Sequence, residues 1–509
     1  MRIKSTIKNS LYSMLAVCFT AGITFLLRKV FLNTLTVELL GYEGLFGNLF
    51  SILSLANLGI NSLILYRLFP AFAKRDNKQI SQLMSIYRVL YRYIGLFIFA
   101  IGMAMIPMLH LIVNNKSVQW NYVYLIYIIQ LMGTLCTYFL AYKRIVFNVN
   151  QQEYICTRID AVISVTENII RIVLLLLFKS YLLYLICDLL GTLIGNYIIS
   201  RRVDSSFRDV SFDQKVTLKD IRALHIFHEI KNSFIQQVCF VIYGGTDNII
   251  ISYLFGVGTT GLLANYTLIE SYVTRGLTKL FHSFQMSIGN YVYSENGKDG
   301  ECLFRMFDFL SYWIACIVCV TYALTYNPII SYLFGKQYLL SSEFVFSFTI
   351  NQYITWNHLF LTYYRQSFGK YELDTIPIVL AAILNIVISI ILGKYIGIAG
   401  VMIGTAIGHL GIWFGRVRVV YHEYIHERIS KYVIRQAIRL VGFGIQFFLA
   451  YIISKNINNN FIGIITRLFI GVSLPITFVF VCFYRTKEMK YCMVYLKRVK
   501  REVLKGKDK

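Results

Sequence analysis

The polar side chains with the most informative spacing lie within one long apolar stretch, residues 261–291. Spacings of three and four residues place several of them on one face of a helix: Ser271, Arg275, Thr278, Lys279 and His282. Arg275 would lie roughly 21 Å along that helix, where contact with lipid would cost at least ~2.5 kcal/mol. We therefore predict that this polar stripe faces a cavity and binds substrate.

The two cations of the polar stripe also have a structural interpretation. Lys279 can extend to the headgroups at one end of its helix, as long cationic side chains often do. Arg275 can pair with an acid, for which Glu270 and Asp247 are the candidates. We favour the cavity, because charged side chains inside membrane segments are functional candidates by default.

Polar side chains also occur in the first two apolar stretches. Arg28 and Lys29 lie near the end of the first, where they either line the cavity or extend to the interface. The second has a polar face that suits substrate contact or helix contact equally, made of Ser51, Ser54, Asn57 and Asn61. The candidate substrate-binding residues are therefore Arg275, Lys279, Arg28, Lys29, Ser271 and Asn61.

Acidic side chains inside apolar stretches are candidates for ion coupling or for structural ion pairs. Glu167 lies four residues before Arg171, a spacing that favours an intrahelical ion pair. Asp160 and Asp247 can each bind a coupling proton or sodium ion, and Asp247 can equally hold Arg275 in place.

No pattern in the sequence predicts catalysis, a metal site or a cofactor. The eight histidines include no HExxH, and there is no Walker loop and no CxxC. His422 and His426 are four residues apart, but Glu423 and Glu427 beside them favour a solvated connector over a metal site. The ten cysteines fall in apolar runs or predicted cytoplasmic segments, so no disulfide framework is expected.

The composition indicates that most of this chain lies within a lipid bilayer. Of its 509 residues 57% are hydrophobic and only 15% are charged, too few charges to cover a water-exposed surface. About fourteen continuous apolar stretches are long enough to span hydrocarbon as helices, and they are too long for β-barrel strands. They are residues 9–32, 45–65, 89–113, 122–142, 155–178, 181–199, 234–255, 261–291, 304–324, 344–364, 376–392, 396–414, 437–453 and 461–483.

The distribution of cations predicts the orientation. Of the 50 Lys and Arg, five fall in predicted outer loops and seven inside spans, which leaves 38 on the side of the N-terminus. These 38 include Arg92, Arg158 and Arg305, each of which lies in the first turn of a span that starts on that side. Lys and Arg concentrate in cytoplasmic loops, so both termini are predicted to be cytoplasmic and the first span to remain uncleaved. The net charge of +24 is therefore interpreted as contact with anionic membrane lipid, and no nucleic-acid partner is expected.

An internal repeat predicts two lobes. A shift of 217 residues aligns seven residues in and just before the second stretch, among them Gly44 and Asn48, with Gly261, Asn265 and their neighbours in the eighth. The predicted organisation is an N-lobe of six spans (1–200), a cytoplasmic linker (201–231), a C-lobe of six spans (232–421), an extra helix pair (422–484) and a basic cytoplasmic tail (485–509). Two such parallel repeats suggest a transporter with a central cavity.

The repeated segments also carry a family resemblance. LLGYEGLFGNLFSILSLANLGINSLILYRLFPAFAKRD, from Leu39 to Asp76, resembles the second span of Wzx-type bacterial polysaccharide flippases. GTDNIIISYLFGVGTTGLLANYTLIESYV, from Gly245 to Val273, resembles their seventh and eighth spans. The resemblance extends in layout over nearly the whole chain and implies membership of the multidrug/oligosaccharidyl-lipid/polysaccharide exporter (MOP) superfamily.

The resemblance implies a substrate and a location. The substrate would be an oligosaccharide repeat unit linked to undecaprenyl pyrophosphate, flipped across the bacterial cytoplasmic membrane by alternating access during surface polysaccharide biosynthesis. Family members are thought to line their cavity with cations, which here would be Arg275 and Lys279. Membrane lipids, a polysaccharide polymerase and glycosyltransferases are the expected partners.

Two other functions remain alternatives. A multidrug antiporter of the same fold would move organic cations through an acidic cavity, and the cations of the polar stripe count against it. A membrane-embedded polysaccharide polymerase or acyltransferase is the second alternative, but a polymerase would carry a large outer loop, and every predicted outer loop is short.

Overall fold

The fold is that of an all-α membrane protein, as the sequence predicts. The computed structural model describes residues 19–54, 56–113, 119–138, 140–150, 152–217, 226–292, 297–367, 372–425 and 428–493. Within these ranges there is no β-strand, and ten helical segments, of which Trp120–Val149 is an interrupted one, are long and apolar enough to cross a membrane. The other four predicted spans are the first, which begins outside the described residues, the second and tenth, which are divided into shorter helices, and the eighth, which carries the polar stripe.

The chain forms two compact units, Met1–Leu280 and Phe281–Lys509, here called unit 1 and unit 2. The lobe boundaries predicted from the repeat remain a prediction. Helices of unit 1 are α1 (residues 19–34), α2 (Val37–Leu53), α3 (Ala56–Ala73), α4 (Asn77–Ala104), α5 (Leu109–Ile112), α6 (Trp120–Cys136), α7 (Arg144–Val149), α8 (Glu153–Phe178), α9 (Tyr181–Ser206), α10 (Ile226–Phe255) and most of α11 (Val257–Val292).

Unit 2 begins at the end of α11 and contains the remaining helices. They are α12 (Gly297–Leu333), α13 (Ser342–Asn357), α14 (Leu359–Ser367), α15 (Glu372–Ile396), α16 (Ile398–Val420), α17 (Ile429–Ser454), α18 (Phe461–Phe483) and a short segment, α19, over residues 487–493. Most helices extend past the predicted spans at one or both ends, whereas α18 coincides with its prediction, residues 461–483.

The predicted tenth span, residues 344–364, is not one continuous helix. It divides at His358 into α13 and α14. The backbone N–H of Phe360 donates to the Ser311 hydroxyl (3.1 Å), and the Asn357 amide donates to Gln436 (2.9 Å). A helix can break at membrane depth where neighbouring polar groups satisfy the freed backbone, and apolar length alone does not reveal such a break.

The predicted fourth span, residues 122–142, also ends early. Helix α6 stops at Cys136, and Leu140 adopts a left-handed backbone conformation with φ of 61°. The Asn196 amide of α9 donates to the carbonyl oxygen of Cys136 at 3.0 Å. A polar side chain from a neighbouring helix again satisfies a carbonyl that the helix end leaves without an intrahelical donor.

Glycines allow α2 and α11 to approach closely in unit 1. A Cβ atom at Gly261 would overlap the carbonyl oxygen of Val37, and one at Gly41 would overlap that of Val257. The Thr260 hydroxyl lies 3.4 Å from the carbonyl oxygen of Gly41 across the same crossing. The two helices therefore meet backbone to backbone near their N-terminal ends, and small residues make that distance possible.

The C-terminal helix pair is fixed within unit 2 by a buried polar cluster on α12. The Arg439 guanidinium of α17 pairs with the Asp308 carboxylate at 2.5 Å, and both side chains are almost fully buried. Gln436 and Tyr432, on the same side of α17, also donate to Asp308. On α18, Gly471 packs against Thr321 with no room for a Cβ. A charge at this depth is tolerated because its counter-charge and hydrogen-bond donors are present.

We predict that Gly261→Ala destabilises the protein by about 1–3 kcal/mol, the usual cost of overpacking a close contact. The matched control is Gly276→Ala on the same helix, where an added Cβ would meet nothing within 4 Å. That change should be neutral or stabilising by about 0.5–1 kcal/mol. Unfolding midpoints of the purified proteins in one detergent test this prediction. Equal midpoints for the two variants would contradict the close contact between α2 and α11.

Candidate functional site

Five charged side chains from four helices form a cluster in unit 1, here called the ionic cluster: Arg28 of α1, Glu43 of α2, Glu167 and Arg171 of α8, and Asp188 of α9. Arg171 is its centre. Its guanidinium lies 2.6 Å from the Glu167 carboxylate, as the sequence predicts, and also pairs with Asp188. Glu43 and Arg28 contribute electrostatic interactions from the neighbouring helices.

The turn between α8 and α9 brings the acids of the ionic cluster together. Lys179 ends α8 in a left-handed conformation with φ of 49°, and Ser180 caps α9. Arg171 lies eight residues before Lys179 and Asp188 nine residues after it, so the two reach the same depth in an antiparallel pair. The absence of a side chain at Gly191 leaves space for the Glu167 carboxylate, because a Cβ there would overlap it.

The ionic cluster has unused hydrogen-bonding capacity. One carboxylate oxygen of Glu43 and one terminal nitrogen of Arg28 are buried without a hydrogen-bond partner in the described part of the chain. The Arg171 guanidinium also lies over the Tyr184 ring, 4.4 Å from its centroid. Three carboxylates face two guanidinium groups, so the cluster can accept a cation or a proton.

A second set of polar contacts joins α1, α8 and α11. The Tyr272 hydroxyl donates to the Thr24 hydroxyl at 2.7 Å, and the Asn168 amide donates to the same oxygen at 3.2 Å. The Arg275 guanidinium lies over the Tyr272 ring, 5.4 Å from its centroid. Thr24 is one helical turn from Arg28 on α1, so this contact borders the ionic cluster.

Arg275 differs from the buried arginines of the apolar stretches. It is exposed, and no described ion pair involves it; its electrostatic partner is Glu270. Arg171 and Arg439 are buried against carboxylates, and so is Arg365, whose Nε lies 2.7 Å from Asp374. The exposed guanidinium of Arg275 is therefore able to bind an anion without first breaking a buried ion pair.

The other candidate substrate-binding residues are distributed more widely. The Ser271 hydroxyl donates to the carbonyl oxygen of Leu268, and Asn61 accepts a hydrogen bond from Tyr87 at 2.9 Å. Lys29 is exposed on α1. The side chains of Lys279, His282 and Asn57 lie outside what the structure describes, so their placement on a cavity wall remains a prediction.

The two remaining acids occupy different environments. Asp160 binds Arg144 with both carboxylate oxygens, at 2.8 and 2.9 Å, and the Asn196 side chain accepts from the same guanidinium. This ion pair favours a structural role for Asp160. Asp247 lies partly buried in α10, and its role in coupling remains a prediction.

Sequence reasoning missed two members of the ionic cluster. Glu43 lies outside the predicted second span, which begins at residue 45, whereas α2 begins at Val37. Asp188 lies within the predicted sixth span, where an acid in an apolar run is the signal that identified Asp160. Applying that signal to every span would have found Asp188.

Comparison with known proteins gives a fold but no family. No family profile and no curated protein sequence matches the chain. The lipid II flippase MurJ, in an inward closed conformation, matches with a TM-score of 0.64 and 16% identity over 93% of this chain and 99% of that one. A multidrug resistance MATE family transporter of the MOP superfamily matches in its inward-facing conformation with a TM-score of 0.62 and 15% identity, over 80% of this chain and 94% of that one.

An outward-facing MATE family transporter of the MOP superfamily matches with a TM-score of 0.55 and 16% identity, over 82% of this chain and 95% of that one. The chain therefore has the two-lobed fold shared by MurJ and MATE transporters.

We predict that Arg171 and Arg275 differ sharply in their effect on stability. Arg171→Met should lower the free energy of unfolding by about 3–5 kcal/mol, because the largely buried carboxylate of Glu167 would lose its counter-charge. Arg275→Ala should change it by no more than about 0.5 kcal/mol, as expected for an exposed side chain outside any ion pair. Unfolding midpoints in a single detergent provide the measurement, and a large loss for Arg275→Ala would assign it a structural role.

Proposed function

We propose that this protein is a transporter that moves an oligosaccharide linked to undecaprenyl pyrophosphate across the bacterial cytoplasmic membrane. Alternating exposure of a central site would carry the headgroup from the cytoplasmic to the outer leaflet for surface polysaccharide biosynthesis. The observation that supports this most directly is Arg275, an exposed arginine within an apolar helix that is outside every described ion pair. No catalytic residue and no cofactor are proposed.

The chemistry of the proposed substrate requires such a cation. A pyrophosphate headgroup carries at least two negative charges and cannot enter hydrocarbon without compensation for its lost hydration. A guanidinium provides donors whose geometry matches phosphate oxygens, and its hydrogen bonds to them are stronger than those between neutral groups. Arg275, with Lys279 one turn later, would stabilise the headgroup while the polyprenyl chain remains in lipid.

The extent of the structural matches also supports a flippase. The MurJ structure covers 93% of this chain, whereas the MATE structures above cover 80–82% of it. This chain continues after α16 with α17 and α18, which the Arg439–Asp308 pair joins to α12. The fold of the MurJ flippase therefore accounts for more of this chain than the fold of the MATE structures does.

We also propose that the ionic cluster binds the coupling ion, a proton or Na⁺. Its three carboxylates exceed its two guanidinium groups by one charge, and a Glu43 carboxylate oxygen is buried without a hydrogen-bond partner in the described residues. Binding of one cation would neutralise the excess and reduce the electrostatic cost of burying Glu43 and Glu167, whereas Asp188 is exposed. Glu167, Arg171 and Asp188 would then be parts of one titrating group rather than independent sites.

A multidrug antiporter of the same fold remains the second candidate. The excess of carboxylates in the ionic cluster favours it, because acidic sites attract organic cations. The two functions differ in their cellular consequence: loss of a flippase prevents assembly of a surface polymer, and loss of an antiporter raises sensitivity to cationic drugs.

We predict that Arg275→Ala abolishes surface polysaccharide while the protein still reaches the membrane, because the pyrophosphate would lose its partner. Arg275→Lys should retain part of the activity, since it keeps the charge but not the bidentate geometry. The measurement is surface polymer produced by a deletion strain complemented with each variant. Arg158→Ala is the matched control, because Arg158 is also exposed and also lies over a tyrosine, Tyr154, at 5.3 Å.

Normal polymer output from Arg275→Ala would remove Arg275 from the mechanism. If the deletion strain instead produced normal polymer and became sensitive to cationic drugs, the protein would be an antiporter. Labelling of Arg275→Cys by membrane-impermeant thiol reagents gives an independent measurement. A position that no reagent reaches from either side would exclude a water-filled cavity around it.

A further inference from the structure

A cavity separate from the polar stripe and the ionic cluster lies in unit 1. It has a volume of about 760 Å³ and opens between α4, the segment after α6, and the start of the linker. Arg88 and Arg92 of α4 line it, one turn apart, where α4 passes from its polar N-terminal part into its apolar part. The cation distribution predicts that this is the cytoplasmic boundary of the membrane.

The linker forms one wall of this cavity and is held there by hydrogen bonds. The backbone N–H groups of Ser211 and Gln214 donate to the hydroxyl groups of Ser81 and Ser85 on α4, at 2.9 and 3.1 Å. The Arg88 guanidinium donates to the carbonyl oxygen of Phe212 at 3.1 Å. Two serines one turn apart therefore position this part of the linker along α4, and the cavity has a defined shape.

The charges that line the cavity leave one cation available. Arg88 pairs with Asp213, and Lys143 pairs with Asp204 at 2.7 Å while lying over the Phe212 ring. Arg92 is exposed and takes part in no described ion pair. Since the three cations outnumber the two carboxylates, the cavity has a net positive charge and favours an anion.

Aromatic and apolar side chains surround that cation and continue toward the hydrocarbon. The cavity is also lined by Tyr91, Tyr138, Tyr142, Leu96, Phe99 and Leu135. Leu96 and Phe99 are 64% and 40% exposed, as expected of side chains that face lipid. Gly95 keeps the mouth open, since its nearest neighbour for an added Cβ is Tyr138 at 3.9 Å. One end of the cavity is therefore polar and cationic, and the other is apolar.

We propose that this cavity binds one anionic phospholipid of the cytoplasmic leaflet. Its phosphate would contact Arg92, and one acyl chain would lie along Leu96 and Phe99. Tyrosines suit this boundary, because their rings are apolar and their hydroxyls are polar. The lipid would also contact the wall formed by the linker and stabilise it. This inference does not depend on the proposed function.

Binding of defined lipids to the full-length protein in a neutral detergent tests the proposal. Phosphatidylglycerol, phosphatidylcholine with the same acyl chains, and glycerol 1-phosphate would be titrated separately, with bound ligand measured by native mass spectrometry. Phosphatidylglycerol should bind at least fivefold more tightly than either of the others. Arg92→Ala should weaken its binding about fivefold, the effect of one cation near an anionic lipid, and Arg158→Ala should leave it unchanged.

Gly95→Leu tests the contribution of the acyl chain separately from that of the phosphate. This change fills the apolar mouth without altering charge, so it should weaken binding of phosphatidylglycerol but leave binding of glycerol 1-phosphate unaffected. Equal affinity for phosphatidylglycerol and phosphatidylcholine, or equal losses for Arg92→Ala and Arg158→Ala, would overturn the proposal. Glycerol 1-phosphate binding as tightly as the lipid would identify the site as one for a soluble phosphate instead.

Discussion

The cost of holding a charge inside hydrocarbon determines how polar side chains are arranged in both units. Arg171 and Arg439 meet this cost with carboxylates, and Arg467 donates to the carbonyl oxygens of Ile457 and Asn458 in the loop that precedes its helix. In each of these contacts a group of the protein itself pairs with the cation. Arg275 takes part in no described ion pair, and its charge is therefore available to a ligand.

The same constraint applies to the backbone. Helices break at His358 and after Cys136, and in both places a polar side chain from another helix satisfies a freed backbone group. Ser311 and Asn196, which supply these contacts, lie in the middle of apolar helices. These two side chains hydrogen-bond the broken helices, and this contact explains why polar residues occur in these positions. Irregular backbone at this depth therefore depends on tertiary contacts that form with it.

This dependence explains which features could be predicted from the sequence. Apolar stretches predicted where the helices lie, because length and hydropathy decide whether a segment spans the bilayer, but only for a stretch such as residues 461–483 did they also predict the helix bounds. The pair Glu167–Arg171 was predictable because its spacing is local. Asp188 joins that pair only through the turn at Lys179, and Glu43 only through the packing of α2. Such long-range contacts have no signature in the local pattern.

The position of α1 connects the ionic cluster with Arg275. Arg28 and Thr24 lie one turn apart on this helix; the first interacts with Glu43, and the second accepts a hydrogen bond from Tyr272, whose ring lies against Arg275. Neutralising one carboxylate of the cluster would weaken its attraction for Arg28. A resulting shift of α1 would move Thr24 and with it the ring that positions Arg275. In the proposed cycle, ion binding would thus alter the anion site through one helix, without a direct contact between the ion and the substrate.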